Sequence, residues 1–94
     1  MKNLKLISFT EKNNWKIKNN ELYKKFILKD FKSAVVFFNT IAELSESSFH
    51  HPKITNSYNI MEVFLTTHDS KSISEKDIRL AQKIDASFKK LLEK

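Results

Sequence analysis

The chain has 94 residues, 40% of them hydrophobic, with seventeen basic against eleven acidic side chains and neither cysteine nor glycine. That length makes a single domain over residues 1–94; the missing cysteine excludes disulfides and thiolate metal sites, and the missing glycine argues against phosphate-cradling loops. The net charge of +6 invites a polyanion, but sixteen of the seventeen basic residues are lysines spread along the chain, and Arg79 stands alone. Base readout and bidentate phosphate clamps favour arginine, so a solvated lysine surface is expected rather than a nucleic-acid face. No apolar run approaches the ~20 residues of a membrane span, and the stretch from Met1 to Phe9 lacks a signal peptide's apolar region. A cytoplasmic protein with no membrane partner is expected.

Residues 1–14 are the least legible: Asn13-Asn14 closes them with turn chemistry, and no full amphipathic helix is evident. Trp15 to Lys18 alternates apolar and polar, as a half-buried strand does. Asn19-Asn20, tolerant of positive φ, follows as a hairpin turn. Leu22, Phe26 and Leu28 then share one face and Tyr23, Lys25 and Ile27 the other, with Lys24 interrupting the apolar side.

Asp30 is placed to cap a helix. Phe31, Ala34, Val35, Phe38, Ile41, Ala42 and Ser45 recur at helical spacing, and Val36, Phe37 and Leu44 widen the apolar surface sideways. A stripe that wide suits burial against both a sheet and a second subunit, or simply a well-buried core helix. Glu46 lies near the helix end, and Pro52 pushes His51 out of helical geometry.

Residues 54–58 and 61–67 read as strands. Ile54, Asn56 and Tyr58 share one phase and Met61, Val63, Leu65 and Thr67 another; the change at Asn59-Ile60 predicts a bulge or bend. Ser74 caps the final helix, with Glu75 and Asp77 in its first turn and Ile73 stapling to Ile78. Ile78, Ala81, Ile84, Phe88 and Leu91 form its inward stripe. The expected order is β-β-α-β-β-α, an α+β two-layer domain with a four-stranded antiparallel sheet and helices packed on one face.

All three histidines fall at element ends, His50 and His51 after one helix and His68 after a strand, with carboxylates at Glu46 and Asp77. Histidine is the side chain best suited to exchanging protons near neutral pH, so a proton-transfer site is indicated. Blander readings stand beside it. Adjacent histidines alone are usually surface residues, Glu46 alone reads as a solvated carboxylate, and Asp77 alone as the N3 member of a capping box. Three histidines can ligate zinc, but no His-x3-His spacing exists here, and no metal is expected. Trp15 and the phenylalanines at helical spacing read as core.

Glu46, His50-His51-Pro52, Tyr58, Thr67-His68-Asp69 and Asp77, within a similarity running from Trp15 to Ile84, resemble the pterin-4a-carbinolamine dehydratase family. The resemblance implies the same two-layer fold, a helix ahead of Trp15, and dehydration of a 4a-hydroxytetrahydropterin to a quinonoid dihydropterin with no cofactor. It implies that His50, His51 and His68 contact the pterin and exchange its protons, His51 foremost. Pro52, Thr67 and Asp69 would line the substrate, while Glu46 and Asp77 would orient imidazoles. Ile54 stands where the family commonly has an aromatic, and Ser72 where relatives often have glycine. The resemblance also allows a non-catalytic pterin-binding, dimerisation or transcriptional-coactivator module. A homo-oligomer, dimer or tetramer, is expected, because a chain this short buries only about 60–65% of its unfolded surface.

Overall fold

A computed structural model describes residues 4–69 and 72–93; residues 1–3 of the stretch read for a leader lie outside the described residues. Seven elements follow one another: α1 (Leu4–Asn13), β1 (Lys16–Lys18), β2 (Glu21–Ile27), α2 (Phe31–Ser48), β3 (Lys53–Ser57), β4 (Ile60–Leu65) and α3 (Glu75–Leu92). The strands form one antiparallel sheet in the order β1-β2-β4-β3. Leu22 and Phe26 of β2 and Met61, Val63 and Leu65 of β4 bury one sheet face against Ala34, Phe37 and Ile41 of α2 and Ile78, Leu80, Ala81 and Ile84 of α3. The α+β two-layer architecture is as expected, with one helix more than the periodicity gave.

That helix is α1. Ten residues are too few to hold a helix alone in water, and only Phe9 of this one is buried, which is why no amphipathic stripe shows in the sequence. Tertiary contacts hold it: the Phe9 and Trp15 rings lie 6.3 Å apart, and Lys5 Nζ donates to both Glu75 oxygens at 2.7 Å. Trp15 is itself only 2% exposed, a core residue as anticipated.

The β1–β2 hairpin turns on Asn19 and Asn20, both left-handed with φ of 52° and 63°, the pair of positive angles that a two-residue type I′ turn requires. Lys24, the apparent flaw in the inward face of β2, keeps its stem in the layer and carries its charge to the edge. Its Nζ donates to Asp85 Oδ1 and to the Asn13 carbonyl, each at 2.9 Å, and Asp85 Oδ2 accepts from Trp15 Nε1 at 2.9 Å. One ion pair thus ties α1, β2 and α3 together.

Two expectations need correction. The phase change at Asn59-Ile60 is no bulge: Ser57 pairs with Ile60 across a two-residue turn, entered by Tyr58 at a φ of 55°. In that register Ile54 and Asn56 face Val63 and Met61, so the change of parity is the hairpin itself. On α2, Asp30 caps as expected, accepting the Ser33 N–H at 2.8 Å, but the inward stripe is Ala34, Phe37, Ile41 and Ser45. Phe31, Val35 and Phe38, expected to face inward, are 53%, 42% and 43% exposed, whereas Phe37, expected at the flank, is 1% exposed. A helix apolar on nearly every side carries no periodic signal to choose which side is buried.

Candidate active site

The site is built at the exit from α2. Phe49 ends that helix in the left-handed region, φ 53° and ψ 39°, its N–H donating to the Glu46 carbonyl at 3.3 Å and the His50 N–H to the Ser45 carbonyl at 3.1 Å. Glycine usually takes such a position, and a bulky side chain there costs on the order of 1–2 kcal/mol. The reversal carries His50 across to α3 and leaves its neighbour beside the helix it has just left.

His50 Nε2–H donates to Asp77 Oδ1 at 2.5 Å, since a carboxylate only accepts. Asp77 is fully buried, and the His50 side chain is 11% exposed. The other Asp77 oxygen accepts from Thr67 Oγ1 at 2.8 Å and from the Ser74 N–H at 2.8 Å. Because Thr67 has spent its one proton on Asp77, the 2.5 Å contact between Thr67 Oγ1 and Ser74 Oγ has Ser74 donating. Asp77 is therefore both the N3 residue of the α3 capping box and the carboxylate behind a histidine. The two readings of the sequence describe the same side chain.

His51 takes the other acid. Its Nε2–H donates to Glu46 Oε2 at 2.6 Å, with both side chains well exposed, 61% and 78%. An exposed pair contributes little to stability, so its consequence is orientation: it fixes which ring nitrogen stays free.

His50, His51 and His68 line one hollow of about 230 Å³, together with Phe49, Thr67, Asp69 and Lys76. Thus the three imidazoles, drawn from two separated stretches of chain, share one cavity, and Thr67 and Asp69 lie in its wall. Glu46 and Asp77 stand behind His51 and His50. Pro52 instead lines an adjoining cavity of about 350 Å³ with Phe38, Ala42, Ser45, Glu46, His51 and Ile54, so the Ile54 departure falls there, with His51 forming the partition. Phe49 and Lys76 were not anticipated in the hollow. Each is adjacent in sequence to a motif residue, which was the only available signal. Among the described residues, no three His, Asp or Glu side chains lie close enough together to hold a metal ion, and no helix is long and apolar enough to cross a membrane.

A small α+β domain with a histidine-lined hollow between the end of one helix and the start of another is the class of protein this geometry defines. The family model described as pterin 4 alpha carbinolamine dehydratase matches residues 3–87, and the chain belongs to that family. Curated relatives whose names assign the same dehydratase provisionally include one from Thermomicrobium roseum, 41% identical over 74% of this chain and 75% of its own. Another, from Sulfurisphaera tokodaii, is 44% identical over 76% of each. Among solved structures, a transcriptional coactivator/pterin dehydratase from Brucella melitensis superposes with a TM-score of 0.84 at 28% identity, over 92% of this chain and 95% of that one. A pterin dehydratase-like RuBisCO assembly factor of the alpha-carboxysome shares the fold, with a TM-score of 0.64 at 23% identity over 77% and 83% of the two chains.

Proposed function

We propose that this chain dehydrates a 4a-hydroxytetrahydropterin, with His51 and His68 moving the protons and His50 seating the ring. In that reaction the C4a–O bond breaks, the departing hydroxide takes up a proton to leave as water, and N5 loses its proton as the C4a=N5 double bond forms. No electrons are exchanged, so no redox cofactor is called for, and no covalent intermediate is needed. The convergence of three imidazoles on one hollow is the observation that carries the reading, because the step needs an acid and a base on one flat heterocycle. With Nε2 of His51 engaged by Glu46, Nδ1 is the nitrogen left for substrate. His50, nearly enclosed and held by Asp77, suits positioning better than proton exchange. Each proton transfer by a placed side chain contributes about 10²–10⁴-fold. The test follows dehydration of 4a-hydroxytetrahydropterin generated in situ: His51→Ala and His68→Ala should each fall by that range toward the spontaneous rate. Wild-type rates in both variants would refute the assignment.

A second reading, a partner-binding or self-associating module, is favoured by the row of exposed Phe31, Val35 and Phe38 on α2 and by the coactivator function in the name of the Brucella protein. Light scattering tests self-association: dimer or tetramer mass supports it, and the mass of one chain at all concentrations removes it.

A further inference from the structure

His50 and Lys76 line not one hollow but two. The second, of about 260 Å³, opens between the end of α2 and the outer side of α3, with Ser48, Arg79, Leu80 and Lys83 completing its wall. Lys76, Arg79 and Lys83 are spaced three and four residues apart, so they stack on one face of α3 within about 10 Å. Like charges at that spacing repel, and Lys76 and Arg79 also sit in the first turns of the helix, where its dipole disfavours cations. None of the three forms a salt bridge among the described residues. Glu75 is taken by Lys5 through both oxygens, with Arg79 adding only a smaller attraction.

A second observation is independent of the charges. Ser48 Oγ is shut off from solvent and has no hydrogen-bond partner. The neighbouring serines of α2 do not share this condition: Ser45 donates to the Ile41 carbonyl and Ser47 to that of Leu44. The last-turn carbonyls of Ser45 and Glu46 are already satisfied by His50 and Phe49, so they do not account for the cations opposite. Ser48 lines this hollow, and a rotation about its χ1 that brings Oγ to the wall would add its hydroxyl to an arginine fork and two ammonium groups over the apolar side of Leu80, the donor set for a tetrahedral oxyanion.

We propose that Ser48, Arg79 and Lys83, with Lys76 at the threshold, form an anion subsite for a phosphate ester carried on the side chain of the pterin substrate. His50 and Lys76 line both hollows, so the two adjoin, and one extended substrate would lay its ring among the histidines and its anion beside Ser48. The substrate is therefore a hydroxylated pterin with an anionic tail, an assignment that rests on the dehydratase reading of the first hollow.

Two measurements on the full chain separate this proposal from that reading. In an amide NMR titration, inorganic phosphate should shift the Ser48, Arg79 and Lys83 resonances saturably. The double variant Arg79→Gln/Lys83→Gln, altered only at exposed side chains, should bind at least tenfold more weakly. Absence of saturable shifts at those residues, or equal affinity in the variant, overturns the subsite. In kinetics, the carbinolamine bearing a 6-phosphooxymethyl group should exceed its 6-methyl counterpart in kcat/KM by about tenfold or more, the effect of one charged hydrogen bond. The ratio should fall toward one in the double variant. Turnover of the 6-methyl compound with a ratio of one in the wild type overturns the subsite and leaves the dehydratase standing. Turnover of neither compound overturns the dehydratase, and the phosphate titration then decides the subsite by itself.

Discussion

Asp77, fully buried under the first turn of α3, holds His50 Nε2 at 2.5 Å across twenty-seven residues of sequence. One carboxylate thereby joins the end of one helix to the start of the other, and every donor it meets is accounted for: His50, Thr67 and the Ser74 N–H. Substituting Asp77→Asn places an amide N–H₂ against at least one of these donors. A buried polar group left unsatisfied costs about 1–3 kcal/mol, so urea unfolding should show a loss of that size along with reduced dehydration. Glu46→Gln, at an exposed pair, should stay within about 0.5 kcal/mol of wild type while still lowering kcat. Equal stability losses in the two variants would contradict the contrast drawn between a buried and an exposed carboxylate.

In the proposed dehydration His51 and His68 would act on the same substrate molecule, so their effects should not add. The double variant His51→Ala/His68→Ala should be little slower than the worse single variant, as for residues that work as a unit. Rates for the single and double variants, corrected for the spontaneous reaction, decide this. Fully multiplicative losses would indicate two independent roles.

The α2 cap gives a pH dependence of defined sign. The Ser33 N–H donating to Asp30 holds its carboxyl below the ordinary value, with Lys29 and Lys32 adding smaller pulls. Because the folded state favours the carboxylate, the cap stabilises fully above the unfolded pKa of about 4 and is lost as pH falls through the lowered folded value. Asp30→Ala should therefore melt below wild type at pH 7, and the gap should close under acid conditions. A gap that persists unchanged to pH 2 would show that the charge is not responsible.

Ser48→Ala separates stability from binding. Removing a shielded hydroxyl that has no partner should raise unfolding free energy by about 1 kcal/mol, while phosphate affinity falls. Lower stability in this variant would mean that the hydroxyl is satisfied in the folded protein.

Neighbouring phenylalanines on α2 should differ widely. Phe37, in edge-on contact with Phe26 at 5.0 Å and packed on Phe88 at 5.3 Å, should cost about 3–5 kcal/mol when cut to alanine. Phe38→Ala should cost far less in the isolated chain, and a decrease in oligomer mass would assign its exposed ring to self-association. Denaturant melts of the two variants, run side by side, check the order.

The features legible along the chain are those set by short-range chemistry. The asparagine pair at 19–20 supplies the positive φ angles of a tight turn, Asp30 and Ser74 cap because their side chains reach the next N–H groups, and His50-His51-Pro52 with His68 marks the family. Each depends on residues a few positions apart, so each is visible in a linear reading. Tertiary structure alone decided which side of α2 is buried, because Phe31, Phe37 and Phe38 are equally apolar and only the sheet beneath selects Phe37. It also decided that α1 exists, since its helix depends on Trp15 and Glu75 rather than on its own pattern. The pairing of His50 with Asp77, and of His51 with Glu46, was likewise fixed by the left-handed turn at Phe49, a backbone state that no residue near it announces. Distances between side chains remote in sequence follow from packing, and packing is a property of the whole chain.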